Sequence, residues 1–124
     1  MKDLSKHINE FLIFAKEERN LSDHTITAYK SDLEKFYKYL SLQKDFAFSD
    51  ISHISANIIR TFKRDEMNRR EIRKGREKKH ISSKTIAREL ASIKAFFKYI
   101  VQLGVLKNNP AAFVAAPKIE KRIP

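Results

Sequence analysis

The chain has 124 residues, a net charge of +11 from 26 basic and 15 acidic residues, two glycines, three prolines and no cysteine. So few turn-forming residues argue against an all-β fold, and the lack of cysteine excludes disulfides, thiolate catalysis and cysteine-based metal centres. No apolar run approaches the roughly 18 residues of a membrane span and no signal-peptide core is present, so we expect a helical, cytoplasmic protein.

The first two segments have the periodicity of amphipathic helices. The first helix is predicted from about Leu4 to the pair Arg19 and Asn20. Ser22 has the side chain of an N-cap, and a longer second helix is predicted after it, up to Leu40. The apolar positions of this second helix form one stripe, so we expect it to pack one side against a core.

Two further helices are predicted in the second half of the chain. Ser55 can cap the third, and the very basic segment 69–80 after it is predicted to be a solvated helix end that leads into a mobile loop. The fourth helix is predicted to begin at Ser82 or Ser83 and to end at Gly104.

The C-terminal region has a different character. A short turn of helix is predicted over residues 111–115 because Asn109 and Pro110 precede it. The tail 117–124 is charged, bounded by prolines and typical of a linker. We therefore predict one all-α domain over residues 1–116 and the start of a linker at 117–124.

The net positive charge comes entirely from the second half of the sequence. Residues 1–59 have a net charge of −1, whereas residues 60–80 and 81–124 each have +6. Clustering of this kind is typical of a surface that faces a polyanion. Nucleic acid, an anionic membrane and an acidic protein are all compatible with it, and so is a basic surface that is merely solvated.

The second and fourth helices resemble each other when the chain is aligned with itself at an offset of 60 residues. Identical pairs are Ser22 and Ser82, Thr25 and Thr85, Ile26 and Ile86, Phe36 and Phe96, Lys38 and Lys98, and Tyr39 and Tyr99. One explanation is that two amphipathic helices share the same capping residues. The other is that both helices present equivalent sides to one ligand, as duplex DNA with its local two-fold axis would require.

The side of the fourth helix opposite its core stripe is suited to duplex DNA. It carries Lys84, Arg88, Ala91 and Ala95, with Thr85 at the helix start. Small residues let a helix approach the base edges of the major groove while the cations reach phosphates or guanine, and a helix N-terminus attracts phosphate. The alternative is that both alanines pack against another helix.

The second helix and the basic segment supply further candidates for DNA contact. The outer side of the second helix carries Thr27, Ser31, Lys35 and Lys38, with His24 and Thr25 at its start. The alternative is that these lysines are ordinary solvated residues. The basic segment adds Lys79, where extra phosphate contacts and contact with a neighbouring protomer are both open.

Residues for catalysis or metal binding do not occur in usable patterns. The four histidines form no metal-binding spacing, and neither a glycine-rich phosphate loop nor a GxSxG motif is present. Adjacent carboxylates such as Asp65 and Glu66 diverge on a helix and are expected to be solvated. We therefore expect a binding module without enzymatic activity, metal, cofactor or small-molecule substrate.

Three stretches resemble the N-terminal core-binding domain of Xer-like tyrosine recombinases and phage-type integrases. They are ERNLSDHTITAYKSDLEKFYKYL at 18–40, SSKTIARELASIKAFFKYI at 82–100 and GVLKNNPAAFVAAPK at 104–118. The resemblance implies an orthogonal, SAM-like bundle of four to five helices that clamps one side of a recombination half-site. It carries a DNA-contact role onto Thr25, Lys30, Lys84, Thr85 and Arg88.

In this family, catalysis belongs to a C-terminal domain whose H-x-x-R motif and nucleophilic tyrosine have no match in this sequence. The resemblance therefore implies the non-catalytic part of a longer recombinase, with double-stranded DNA and further recombinase protomers in a synaptic tetramer as partners. Chromosome dimer resolution and mobile-element integration are equally compatible. The alternative function is a basic helical module that docks on an acidic protein or an anionic membrane.

Overall fold

Four α-helices dominate the computed structural model, which describes residues 2–43, 50–68, 70–72 and 78–118. In chain order the elements are α1 (Lys2–Glu17), α2 (Asp23–Ser41), a 3-10 turn (Ile51–His53), α3 (Ala56–Asn68), β1 (Arg70–Ile72), β2 (Lys78–His80) and α4 (Ser83–Gln102). The predicted helical bundle is confirmed, and a short two-stranded ribbon is added to it. Within the described part of the chain, each helix is too short or too polar to cross a membrane.

The helix ends follow the predicted capping residues. Ser22, Ser55 and Ser82 precede α2, α3 and α4, and each side chain accepts the backbone N–H three residues further on. After α4 ends at Gln102, Gly104 has a φ of +79°, the left-handed conformation that glycine adopts without strain. Local side-chain chemistry therefore accounts for these boundaries.

The segment between α3 and α4 differs from the prediction of a helix end and a loop. β1 and β2 pair in antiparallel register, with Arg70 opposite His80 and Ile72 opposite Lys78. The helix ends at Asn68 because no apolar stripe continues to hold it against the core, and strand pairing then satisfies the backbone groups. Residues 73–77, where the mobile loop was predicted, lie outside the described residues.

The region after α4 forms consecutive turns in place of the predicted short helix. Asn109 accepts the backbone N–H of Ala111 at 2.8 Å through its side-chain oxygen and donates to the carbonyl of Lys94 at 3.2 Å. The side chain of Asn109 therefore provides the turn and ties it to α4. Ala111 and Val114 are buried against the core.

Aromatic contacts in the core repeat at the offset of 60 residues. Phe36 of α2 packs edge-on against Phe62 of α3 with ring centroids 5.2 Å apart, and Phe96 of α4 packs edge-on against Phe11 of α1 at 5.7 Å. Tyr39, three residues after Phe36, also contacts Phe62, with ring centroids 5.1 Å apart. Tyr99, three residues after Phe96, also contacts Phe11, at 5.6 Å. In the helix hairpins α1–α2 and α3–α4, the long helix of each therefore packs against the short helix of the other.

Candidate nucleic-acid interface

α2 and α4 contact each other near their middles through one buried acid. Asp32 of α2 is only 1% exposed. Ser92 donates its hydroxyl to Asp32 Oδ2 at 2.6 Å, while Arg88 donates Nε–H to Oδ2 at 3.2 Å and Nη2–H to Oδ1 at 2.7 Å. A single carboxylate of α2 thus accepts three hydrogen bonds from α4, and hydrogen bonding to Asp32 raises the pKa of Arg88.

A second polar cluster joins α2 to both α3 and α4. Lys35 Nζ lies 2.5 Å from a carboxylate oxygen of Glu66 and 2.9 Å from one of Glu89, and these glutamates are 4% and 1% exposed. Burial raises the pKa of Glu89 to about 7, aided by Glu66 and opposed by Lys35. Burial alone would lower the pKa of Lys35, but its bonds to the two glutamates raise it. One lysine therefore binds two buried acids, and Glu89 is protonated more readily than an ordinary glutamate.

This cluster corrects two expectations from the sequence. Lys35 was predicted on the outer side of its helix and Glu66 in solvent, but α3 and α4 both cover that part of α2. Asp65 is exposed as expected and accepts the hydroxyl of Tyr39 at 2.6 Å. Burial and this bond raise the pKa of Tyr39.

The repeated Ser-x-x-Thr starts of α2 and α4 have the same geometry. Ser22 Oγ accepts the backbone N–H of Thr25 at 3.3 Å and lies 3.0 Å from its hydroxyl. Ser82 Oγ accepts the N–H of Thr85 at 3.1 Å and donates to its hydroxyl oxygen at 2.9 Å. Since the Thr85 oxygen accepts this bond, it still has its own proton to donate to a phosphate at the helix start.

The predicted contact residues of the two helices lie on their outer sides. Thr25 and Thr85 are half-buried. Those that are exposed are His24, Thr27, Lys30, Lys84 and Arg88. Ala91 is exposed as well, and we call the surface of these five exposed residues and Ala91 the α2–α4 face.

Three other residues singled out from the sequence, Ala91, Ala95 and Lys79, lie in different environments. The alternative prediction was that both alanines pack against another helix. It is wrong for Ala91, which is exposed, and confirmed for Ala95, which is half-buried against the core. Lys79 lies in β2 with its backbone opposite Glu71. Its side chain lies outside the described part of the structure.

The two capped helix starts are not brought together. Thr25 lies seven residues before Asp32, and Thr85 lies seven residues before Ser92, so each start is roughly 10 Å along its helix from the central contact. Contacts run in opposite directions along the two helices, since later residues of α2 meet earlier residues of α4. The two starts therefore lie on opposite sides of the central contact.

Comparison with known proteins shows the family of the chain. Residues 8–104 match the family described as phage integrase, N-terminal SAM-like domain. The chain belongs to this family. The resemblance predicted from the three sequence stretches is thereby confirmed, as is the SAM-like fold. This domain is the non-catalytic N-terminal part of tyrosine recombinases.

Curated relatives of this SAM-like domain are named tyrosine recombinase XerC. Those of Roseiflexus castenholzii, Thermodesulfovibrio yellowstonii and Pelobacter propionicus are 31%, 31% and 32% identical over 98%, 100% and 100% of the chain. The same matches cover 34%, 36% and 37% of those proteins, so the chain spans about a third of their length. No solved structure matches the chain.

Sequence reasoning missed the buried polar residues of the SAM-like domain, although a signal for them was present. Asp32 lies four residues before Phe36, and Glu66 lies four residues after Phe62, so both acids are on core-facing stripes. A charge at such a position requires a partner. The offset of 60 residues also aligns Asp32 with Ser92, and these two residues are hydrogen-bonded to each other.

We expect Arg88→Ala to lower the free energy of unfolding of the SAM-like domain by about 1–3 kcal/mol, since it leaves Asp32 buried with only Ser92 as a donor from this cluster. Urea denaturation measures this loss. Lys84→Ala removes an exposed cation one turn earlier and should change stability by less than about 0.5 kcal/mol. Equal denaturation midpoints for Arg88→Ala and the unchanged protein would contradict a stabilising role for the pair.

Proposed function

We propose that this SAM-like domain binds double-stranded DNA through the α2–α4 face, as part of a site-specific tyrosine recombinase. The observation that carries the proposal is the outer side of α4, where the cations Lys84 and Arg88 are followed by the exposed Ala91. A helix with a small residue at an exposed position can lie deep in the major groove, and its cations then reach base edges and phosphates. Membership of the integrase family supports the same ligand.

The helix starts supply the phosphate contacts in this proposal. The hydroxyl of Thr85 and the N-terminal end of α4 attract one stretch of backbone, and Lys84 adds a cation there. On α2 the equivalent contacts come from Thr25, His24, Thr27 and Lys30. Because residues 21–59 have a net charge of −1, α2 contributes mainly hydroxyls and its helix terminus.

The basic segment 60–80, which includes the paired strands β1 and β2, is assigned to DNA outside the groove in this proposal. Residues 60–80 carry a net charge of +6, and Lys79 lies within this segment. Flanking phosphates are the partner that best fits such a segment, because they are present at every step of a duplex.

The remaining parts of the reaction are assigned to the parent recombinase. We place a linker from residue 117 and a catalytic domain after it, with the arginines, lysine, histidine and tyrosine that the family uses. Recombinase protomers on two duplexes are then the protein partners, in the cytoplasm, for chromosome dimer resolution or mobile-element integration. This domain's share is to hold one side of a half-site.

The proposal is tested by the salt dependence of duplex binding. If six to eight phosphates are neutralised, log Kd should change with log salt concentration with a slope of magnitude roughly 5 to 7. Lys84→Ala should reduce this slope by about one. Lys16→Ala on α1 removes an exposed cation away from the α2–α4 face and should leave the slope unchanged.

Anionic vesicles of matched charge and an acidic polypeptide are the competing ligands in the same titration. Tighter binding to duplex DNA than to either ligand is the expected result. A flat salt response, or a preference for vesicles or acidic polypeptide, would overturn the proposal in favour of a module for an acidic partner or membrane.

A further inference from the structure

We infer that Asp32 and Ser92 are positioning residues that orient Arg88 to read a guanine in the major groove. The inference rests on the proposed function and adds to it the base that the α2–α4 face recognises. It assigns a role in DNA recognition to two buried residues that cannot contact the ligand themselves.

Arg88 has more hydrogen-bond donors than its contact with Asp32 uses. A guanidinium has five N–H donors, and the edge formed by Nε and Nη2 is bound to Asp32 at 3.2 and 2.7 Å. The second edge, formed by Nη1 and the other proton of Nη2, takes no part in these two bonds. The side chain remains 55% exposed. This second edge matches the paired acceptors O6 and N7 of guanine.

Asp32 is a rigid support for the Arg88 guanidinium. Asp32 is buried and also accepts the Ser92 hydroxyl at 2.6 Å, so its carboxylate has a fixed orientation. A planar guanidinium bound to it through two bonds is fixed in turn. The loss of side-chain freedom that Arg88 would otherwise undergo on binding DNA has therefore already occurred in the folded protein.

The charge balance of the Arg88–Asp32 pair favours a base over a phosphate as the ligand of Arg88. Asp32 compensates the charge of Arg88, so the pair offers little net attraction to a phosphate, whereas its directional donors are retained. Lys84, exposed one turn earlier, is a point charge of the kind suited to phosphate. Ala91, exposed one turn later, leaves room for the floor of the groove to approach.

The experiment begins with selection of a preferred duplex from a random-sequence pool by the unchanged chain. Affinities are then measured for that duplex and for copies in which single G·C pairs are replaced by A·T. At one position we expect the unchanged chain to prefer guanine by roughly tenfold or more. In Ser92→Ala and in Arg88→Lys, this ratio should fall towards one. Lys16→Ala is the control that should keep it.

The ratio of affinities separates recognition from stability. A merely structural role for the cluster would weaken binding to both duplexes and leave their ratio unchanged, which would overturn the inference but not the proposed function. A selected duplex without such a guanine would also overturn it. No binding to any duplex would overturn the proposed function itself. Circular dichroism and thermal midpoints show that each variant is folded.

Discussion

Replacing Lys35 with methionine is expected to lower the free energy of unfolding by about 3 kcal/mol at pH 8, and by much less at pH 5. The substitution removes the cation that lies 2.5 and 2.9 Å from the buried carboxylates of Glu66 and Glu89. At pH 8 these two acids then face each other without compensation. At pH 5 Glu89 is protonated instead, because its pKa is about 7, and this relieves the repulsion.

The sign of this pH dependence follows from Glu89. Its pKa is about 7 in the folded protein against 4.5 ordinarily, so the folded state binds this proton more tightly than the unfolded state does. The resulting stabilisation is complete below about pH 4.5 and is lost as the pH rises through 7. Without Lys35 the ionised form of Glu89 is still less favourable. The loss of folding stability with rising pH therefore becomes larger and extends to higher pH.

Denaturant titrations at pH 5, 6, 7 and 8 measure this effect. Lys38→Met is the matched control, because it removes an exposed lysine three residues further along the same helix, and it should cost less than about 0.5 kcal/mol at every pH. Glu89→Gln should flatten the decrease in stability of the unchanged protein between pH 4.5 and 7. An equal cost of Lys35→Met at pH 5 and pH 8 would show that the buried acids do not govern it.

Phe96→Ala is expected to lower the free energy of unfolding by about 3–5 kcal/mol. Phe96 has no exposed surface, packs edge-on against Phe11 at 5.7 Å and contacts Phe97 at 5.1 Å. Removing the ring takes away these contacts and leaves a cavity where α1 meets α4. Phe36→Ala should have a similar cost, because it removes the equivalent ring from the other helix hairpin.

Phe113 provides the matched control for these two substitutions. Its side chain is 91% exposed, so Phe113→Ala makes the same chemical change without leaving a cavity and should alter stability by less than about 0.5 kcal/mol. Thermal and urea denaturation both report the difference. A cost below about 1 kcal/mol for Phe96→Ala would contradict the assignment of this ring to the centre of the core.

The helices and their boundaries were predictable because their signals are local. Ser22, Ser55 and Ser82 cap helices through backbone groups three residues away, and Gly104 ends one through its own conformation. Each of these relations can be inferred from neighbouring letters of the sequence. The short ribbon was not predictable in this way, because its strands are rich in charge and lack the alternating pattern of a half-buried sheet.

The polar clusters could not be predicted because they join residues 31 to 60 positions apart. A core-facing position for Asp32 can be inferred from the sequence, but its pairing with Arg88 depends on how α2 and α4 cross. The same crossing decides that Lys35 is enclosed while Lys38 remains exposed. As a result, the net charge overstates the positive charge that attracts a ligand, since internal acids compensate the charges of Lys35 and Arg88.

The central claim is that duplex DNA binds to the outer sides of α2 and α4. Chemical-shift mapping by NMR, with the labelled chain titrated with a short duplex at low salt, tests it most directly. The largest shifts are expected at His24 to Lys30 and at Lys84 to Ala91, with little change at exposed residues of α1 such as Ile13. Shifts concentrated on α1 or on the turns around Phe113, with the α2–α4 face unchanged, would contradict the claim.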